Sequence, residues 1–292
     1  MASHDMSAGE SRRLSDILRV LPGSTVDLSS YDTKGAPGFP ADGKKDAERL
    51  RLGMADELSD LQERLFADGR SFPETAKSVL VVLQGMDTSG KGGTISHVFG
   101  LMAPAGLELR AFKAPTPEER KHDFLWRITN ALPGKGMIGI FDRSHYEDVL
   151  IVRVENLVAP DVWGKRYDEI NAWEEQVAAS GTRIVKCFLH ISPEEQKARL
   201  AARLADPSKY WKYNPGDVDV RGKWDEYQEA YEAALSKCST EVAPWYVVPS
   251  DRKWYRNWAV ATLLHEALLS IDPSWPPATF DVATEKARVA SS

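Results

Sequence analysis

Residues 78–94 read SVLVVLQGMDTSGKGGT, and the stretch divides at Gly85. The first seven residues are a short run rich in β-branched side chains without polar alternation. That is the pattern of a strand buried on both faces, as in a parallel sheet. Gly85 to Lys91 then satisfy the G-x-x-x-x-G-K half of the Walker pattern, directly after the strand and before a helical stretch, ISHVFGLMA. In such a loop Gly85, Ser89, Gly90, Gly92, Gly93 and Thr94 let backbone N–H groups converge on phosphate oxygens. The helix N-terminus adds positive potential, and Lys91 supplies a mobile cation for the terminal phosphates.

The position after Lys91 is Gly92, where a Ser or Thr normally ligates magnesium, and Thr94 lies two residues further on. A carboxylate, Asp87, sits inside the loop instead. An anion among phosphates repels them unless a cation lies between, so Asp87 is expected to bind Mg²⁺, directly or through water, with Mn²⁺ able to stand in.

Outward from this segment the strand pattern recurs in LELRAF after Gly106, MIGIF after Gly136, RIVKCFLHI after Thr182 and WYVVP after Pro244, with helical patterns between. Strands alternating with helices imply βα units, hence a three-layer α/β/α domain on a five-stranded parallel sheet. Thr116-Pro-Glu-Glu119 and Ser192-Pro-Glu-Glu195 each carry a capping hydroxyl, Pro at the first helical position and Glu three residues after the cap. Residues 1–43, rich in Ser, Gly, Asp and Pro, read as an extended arm rather than a packed element. Lys44 to Ala67 reads as one helix with Met54, Leu58, Leu61 and Leu65 on a stripe, to be buried on the main domain or on a second subunit. Residues 44–272 form the expected domain, with 273–292 a tail.

The MIGIF run ends in Asp142-Arg143-Ser144-His145-Tyr146-Glu147-Asp148. Asp142 at a buried strand's C-terminal end is placed like a Walker-B carboxylate and would share metal ions with Asp87 on a neighbouring strand end. Arg143 is positioned to meet charge on a transferred phosphoryl. Glu147 reads as a capping-box partner of Ser144 or as a catalytic group, two roles that do not exclude each other. A lone His145 beside a strand end is more often a packed residue than a catalyst.

Lys plus Arg total 37 and Asp plus Glu 43, a net charge of −6, so a general nucleic-acid binder is disfavoured and a polyanionic ligand would need a local basic patch. Such a patch is available. Arg199 and Arg203 lie four apart on the helix starting at Pro193, followed by Lys209, Trp211, Lys212, Arg221 and Lys223. The interval 193–223 is where a kinase-like lid would close over phosphates and exclude water. Lys113, Arg127 and Arg153 would continue the groove. Two distant cysteines, Cys187 and Cys238, read as buried hydrophobes. No apolar signal core or run of membrane-spanning length is present, so a cytoplasmic, membrane-free protein is expected.

Taken in order, GMDTSGKGG, FKAPTPEE, HDFLWRI, FDRSHYEDVLIVRV, RLADPSKYWKYNPGDVDVR and APWYVVPSDRKWYR resemble the landmarks of the polyphosphate kinase 2 family over about residues 45–272. The resemblance implies a P-loop kinase-like domain with a helical lid. It also implies Mg²⁺-dependent phosphoryl transfer between inorganic polyphosphate and nucleotides (AMP, ADP, ATP). Asp87, Lys91, Asp142 and Glu147 match the family's acidic and basic core, and Arg143, Arg199 and Arg203 its phosphate-binding arginines. SHYEDV is similar to the subgroup accepting both AMP and ADP. The resemblance further implies a homo-oligomer, dimer or tetramer, with the 44–67 helix and preceding arm as interface candidates. Two other readings share these signals. An ATP-dependent nucleoside monophosphate kinase is disfavoured by Gly92 and Asp87, and a non-catalytic phosphate-binding module has no need of two metal-facing carboxylates.

Overall fold

A computed structural model describes residues 12–292. Five strands, β1 (Ser78–Gln84), β2 (Leu107–Ala111), β3 (Ile138–Asp142), β4 (Thr182–His190) and β5 (Trp245–Pro249), form one parallel sheet in the order β2-β3-β1-β4-β5. The period-2 alternation of β1 sorts its side chains onto two layers. Val79, Val81 and Leu83 pack with Leu58, Leu61 and Leu65 and with the long helix Lys253–Ile271. Leu80 and Val82 face the opposite layer, against Tyr167, Ile170, Tyr231 and Leu235 of the helices Arg166–Ala179 and Trp224–Cys238. Each fully buried leucine of this kind contributes roughly 1.5–3 kcal/mol, which is why β1 stays central and rigid beneath the loop that follows it.

Chain order and spatial order part company around β1. The chain leaves β1 for the edge strand β2, returns through β3, and crosses to β4 on the other side. Such a switch point opens a crevice at the strands' C-terminal ends. Leu83 of β1 lies opposite Asp142 of β3, so the phosphate loop and the second carboxylate segment emerge side by side.

Three expectations are corrected. The 44–67 stretch forms two helices, Gly43–Gly53 and Ala55–Ser71, meeting at Met54 just after Gly53, a weak helix former. Leu58, Leu61 and Leu65 are buried in the chain's own core, so that stripe is no interface. β2 is an edge strand with Leu109 53% exposed, not one buried on both faces. The arm is packed over its described part, 12–42. Leu14, Leu18, Val20, Val26 and Leu28 are buried, Val20 N donates to Trp245 O beside an antiparallel bridge from Arg19 to Tyr246, and the Leu14 and Ser15 N–H groups cap onto the Glu266 carboxylate at 2.8 and 3.0 Å. The expectation for residues 1–11 lies outside the described residues. Among the described residues no helix is long and apolar enough to cross a membrane. The 193–223 interval comprises the helix Pro193–Leu204, a 3-10 turn Pro207–Lys212 and the helix Gly216–Arg221.

Candidate active site

The loop after β1 wraps tightly. Gly85, Thr88 and Gly90 take φ of +149°, +65° and +110°, and a Cβ on Gly85 would fall 2.6 Å from Leu189 O, so glycine is required there. Thr88 tolerates the left-handed region at a cost, as residues at functional loops often do. The helix Lys91–Val98 begins immediately. Lys91 folds back over the loop, and its Nζ donates to Gly85 O at 2.8 Å and Met86 O at 3.5 Å. Burial and the neighbouring Arg143 lower its pKa, against the opposing pull of Asp87, Asp142 and Glu147. One ammonium thus sits in the field of all three carboxylates.

Asp142 ends β3, and Arg143 follows with φ +64°. That conformation turns the guanidinium into the crevice, where Nη2 donates to Asp87 Oδ1 at 2.7 Å and Nη1 stands 3.8 Å from Glu147. Burial opposes the Arg143 charge, but Glu147 and Asp87 outweigh it and hold the guanidinium above its usual value. Glu147 is pushed up by burial, with Arg143 and Lys91 opposing. Ser144 does cap the following 3-10 turn, its Oγ accepting from Tyr146 N at 3.2 Å. Of the two readings for Glu147, the capping one is set aside, because its carboxylate turns toward Arg143 and lines a small cavity with Gly85 and Asp87.

A larger cleft of about 630 Å³ adjoins this point. Lys113, Phe124, Arg127, Asp148, Leu157 and Arg166 line it, and it shares Arg143, Glu147 and Ile151 with the small cavity. Arg127 donates to Lys113 O at 2.8 Å and lies 4.0 Å from Asp148. Asp148 also accepts from Arg166 at 3.0 Å, and Arg166 stacks its guanidinium 4.8 Å above the Phe124 ring. Burial pushes the Asp148 carboxyl up to about 6 despite both arginines.

The remaining expected phosphate contacts are not brought together here. Arg199 is buried at 8% exposure with every guanidinium N–H engaged: Nε with Glu195, Nη1 with the carbonyls of Thr88 and Ser89, and Nη2 with those of Ser250 and Asp251. It latches the helix Pro193–Leu204 to the back of the phosphate loop and has no donor left for a phosphate. Arg203 donates to Lys212 O and faces Asp217 at 3.4 Å. Lys209 pairs with Asp206, and Lys212 lies over Trp211. Arg153 turns to Tyr167, Glu229 and the Trp163 ring, and Thr94 is fully buried. None of these six lines either cavity. Spacing revealed that they were basic or hydroxylated, but not which way each side chain points.

Residues 46–274 match the family described as Polyphosphate kinase 2 (PPK2). The chain belongs to the polyphosphate kinase 2 family. It is 46% identical over 268 residues to the AMP/ADP-polyphosphate phosphotransferase of Meiothermus ruber, covering 92% of this chain and 97% of that one. It is 40% identical over 277 residues to the ADP-polyphosphate phosphotransferase of Rhodopseudomonas palustris, covering 89% and 92%. The crystal structure of Polyphosphate Kinase 2 from Arthrobacter aurescens TC1 superposes with a TM-score of 0.92 at 48% identity, covering 97% of this chain and 98% of that one.

This polyphosphate kinase 2 chain also uses residues that spacing alone passed over. Arg166 carried a signal: a cation in the first turn of a helix opposes the macrodipole, so something else must hold it there. Phe124 and Gln196, which donates to Asp87 O at 3.0 Å, carried none. Because all of its N–H groups are taken up by Glu195 and by loop and strand-end carbonyls, Arg199→Lys is expected to lower the melting temperature by roughly 5–10 °C. The slope of log KM for polyphosphate against log salt should stay unchanged. A slope flattened by about 0.7, the share of one phosphate contact on a flexible polyanion, would return Arg199 to the polymer.

Proposed function

We propose that this chain is a polyphosphate:nucleotide phosphotransferase that moves a terminal phosphoryl group between inorganic polyphosphate and AMP or ADP. The observation that carries this reading is the junction. Arg143 and Glu147 are shared by a phosphate-loop cavity and a separate cleft large enough for a nucleotide, so two phosphate-bearing ligands can meet at one guanidinium. The cleft pairs apolar walls at Phe124, Ile151 and Leu157 with the cations Lys113, Arg127 and Arg166, a combination suited to a base and its phosphates.

In this mechanism the phosphate loop and Lys91 hold one phosphate chain while the other ligand's terminal phosphate lies in line from the cleft. An acceptor phosphate oxygen forms a bond to the terminal phosphorus of the donor chain. The bridging P–O bond behind it breaks, and its electron pair stays on the shortened chain. No strong base is required, because the attacking oxygen is already anionic. Arg143 neutralises charge at the transferred group, and positioning supplies most of the acceleration.

Mg²⁺ is part of this reading. No cluster of three or more His, Cys, Asp or Glu side chains suited to a metal is present among the described residues. Asp87 follows β1, Asp142 ends the neighbouring β3 and both act on Lys91, so they would hold an ion of the kind that needs only one or two protein carboxylates besides substrate phosphates and water. When bound, it supplies screening of the phosphates' negative charge. A cytoplasmic location accords with two free thiols, Cys187 and Cys238. In a homo-oligomer, association would cover exposed Trp275, Phe280 and Val289 of the C-terminal segment, whose helix Val282–Ser291 has no buried residue.

The test is to incubate the purified protein with Mg²⁺ and AMP or ADP, offering either polyphosphate or ATP as donor, and to separate the products by chromatography. ADP and ATP are expected with polyphosphate. Phosphorylation of AMP by ATP alone would replace this reading with a nucleoside monophosphate kinase.

A further inference from the structure

Arg256, on the helix Lys253–Ile271, is 3% exposed and lines neither cavity. Its Nη1 donates to the Ser89 carbonyl at 3.1 Å, while Nε and Nη2 donate to Asn257 Oδ1 at 3.2 and 2.9 Å. Among the described residues no carboxylate lies within ion-pairing distance of it. The neighbouring charge is instead a second cation, for Arg199 Nη1 donates to the same Ser89 carbonyl at 2.8 Å. Burial and Arg199 draw the Arg256 guanidinium down to about 9, so it remains charged at neutral pH. Arg199 is balanced by Glu195 at 2.7 Å, but a buried charge is normally paired, and the unpaired Arg256 behind a phosphate loop points to an anion that arrives from outside.

The loop's glycines accommodate this side chain. A Cβ on Gly90 would lie 1.7 Å from Arg256 Nη1, and one on Gly93 would lie 3.0 Å from Nη2, whereas one on Gly92 would meet nothing within 4 Å. Gly90 and Gly93 therefore make room for a guanidinium as well as for phosphate. The Ser89 carbonyl, held by two arginines, sets the direction of its peptide plane. In a trans peptide the following N–H points the opposite way, and the Gly90 N–H has no hydrogen-bond acceptor among the described residues.

We propose that Arg256 is a positioning residue for the bound phosphate chain. It fills the space left by the loop's glycines, aims the Gly90 N–H outward through the Ser89 carbonyl, and supplies buried positive charge that is balanced only when phosphates occupy the loop. This rests on the phosphotransferase reading and extends it to a residue outside both cavities.

The experiment compares the full chain with Arg256→Gln and Arg256→Lys, titrating tripolyphosphate and ADP separately by calorimetry alongside melting temperature and steady-state kinetics. Arg256→Gln is expected to weaken whichever ligand seats in the loop by tenfold or more and to raise its KM similarly, with kcat changed less than threefold. Arg256→Lys should recover most of that affinity. Affinities for both ligands within twofold of wild type in a folded Arg256→Gln protein would overturn the inference alone. A wild-type protein that binds neither ligand would sink the phosphotransferase reading with it. Should Arg256→Gln not fold, Gly93→Ala offers a second route. It should weaken binding in the wild-type background and add less than twofold in Arg256→Lys, where no Nη2 remains to collide. An equal effect in both backgrounds would overturn the proposal.

Discussion

Asp142→Asn is expected to cut turnover by roughly 10²- to 10³-fold while leaving unfolding free energy within about 1 kcal/mol of wild type. The asymmetry comes from the structure. Asp142 ends a buried strand, yet its carboxylate accepts no hydrogen bond among the described residues, so the fold does not depend on its charge. Its effect is felt across the crevice, where it contributes with Asp87 and Glu147 to the field on Lys91. Asp87→Asn should lose turnover on a similar scale but also loosen Arg143, whose 2.7 Å contact to Asp87 Oδ1 would become a neutral hydrogen bond. Initial rates across a Mg²⁺ titration and urea unfolding of each variant provide the check. Near-normal turnover at saturating Mg²⁺ in either variant would remove the carboxylate pair from the mechanism.

Glu174→Gln is expected to carry the largest stability loss, about 3–5 kcal/mol, because it leaves a buried ammonium without its counter-charge. Glu174 and Lys186 are both fully buried, 2.5 Å apart. Glu174 also accepts from Tyr146 Oη at 2.9 Å and contacts His145 Nε2 at 3.2 Å, while Lys186 donates to Tyr146 Oη and to Cys238 O. Burial favours the neutral acid, but Lys186 and His145 outweigh it and hold Glu174 below its usual carboxylate value. A depressed carboxylate contributes stability that is present above the unfolded value and lost as pH falls through the folded one. Wild type should therefore lose this contribution on acidification below about pH 4.5, with the Gln variant much less affected. Urea unfolding at pH 7 and pH 4 measures both effects, and a loss under 1 kcal/mol at pH 7 would show that the network is not a coupled unit. Tyr146 and His145 belong to the turn carrying Glu147, so the same change should also lower turnover.

The fold was legible where burial is symmetrical. β1, β3, β4 and β5 announce themselves as apolar runs because both faces are covered, whereas LELRAF gave no warning that β2 is an edge. Capping chemistry was half legible. Thr116 and Glu119 do exchange their hydrogen bonds, at 2.7 and 3.2 Å, but only a 3-10 turn follows. Ser192 caps its helix, while its N–H is taken by Asp251 and Glu195 turns to Arg199. The arginines were the least legible. Arg143, Arg199 and Arg256 are chemically identical in a sequence, yet one faces the crevice, one grips the loop's carbonyls and one fills the space behind its glycines.

By itself, the sequence established a parallel α/β sheet, a phosphate loop at the end of its first strand and a carboxylate at the end of its third. These depend on local periodicity, turn chemistry and residue spacing, all of which are properties of neighbours along the chain. The neighbouring strand ends expected for Asp87 and Asp142 are found, with Leu83 opposite Asp142, but only the tertiary structure decided that the arm is packed and which cations meet the crevice. Those outcomes depend on strand order and on side-chain direction across contacts hundreds of residues apart in some cases, as between Leu14 and Glu266, and no local pattern encodes them.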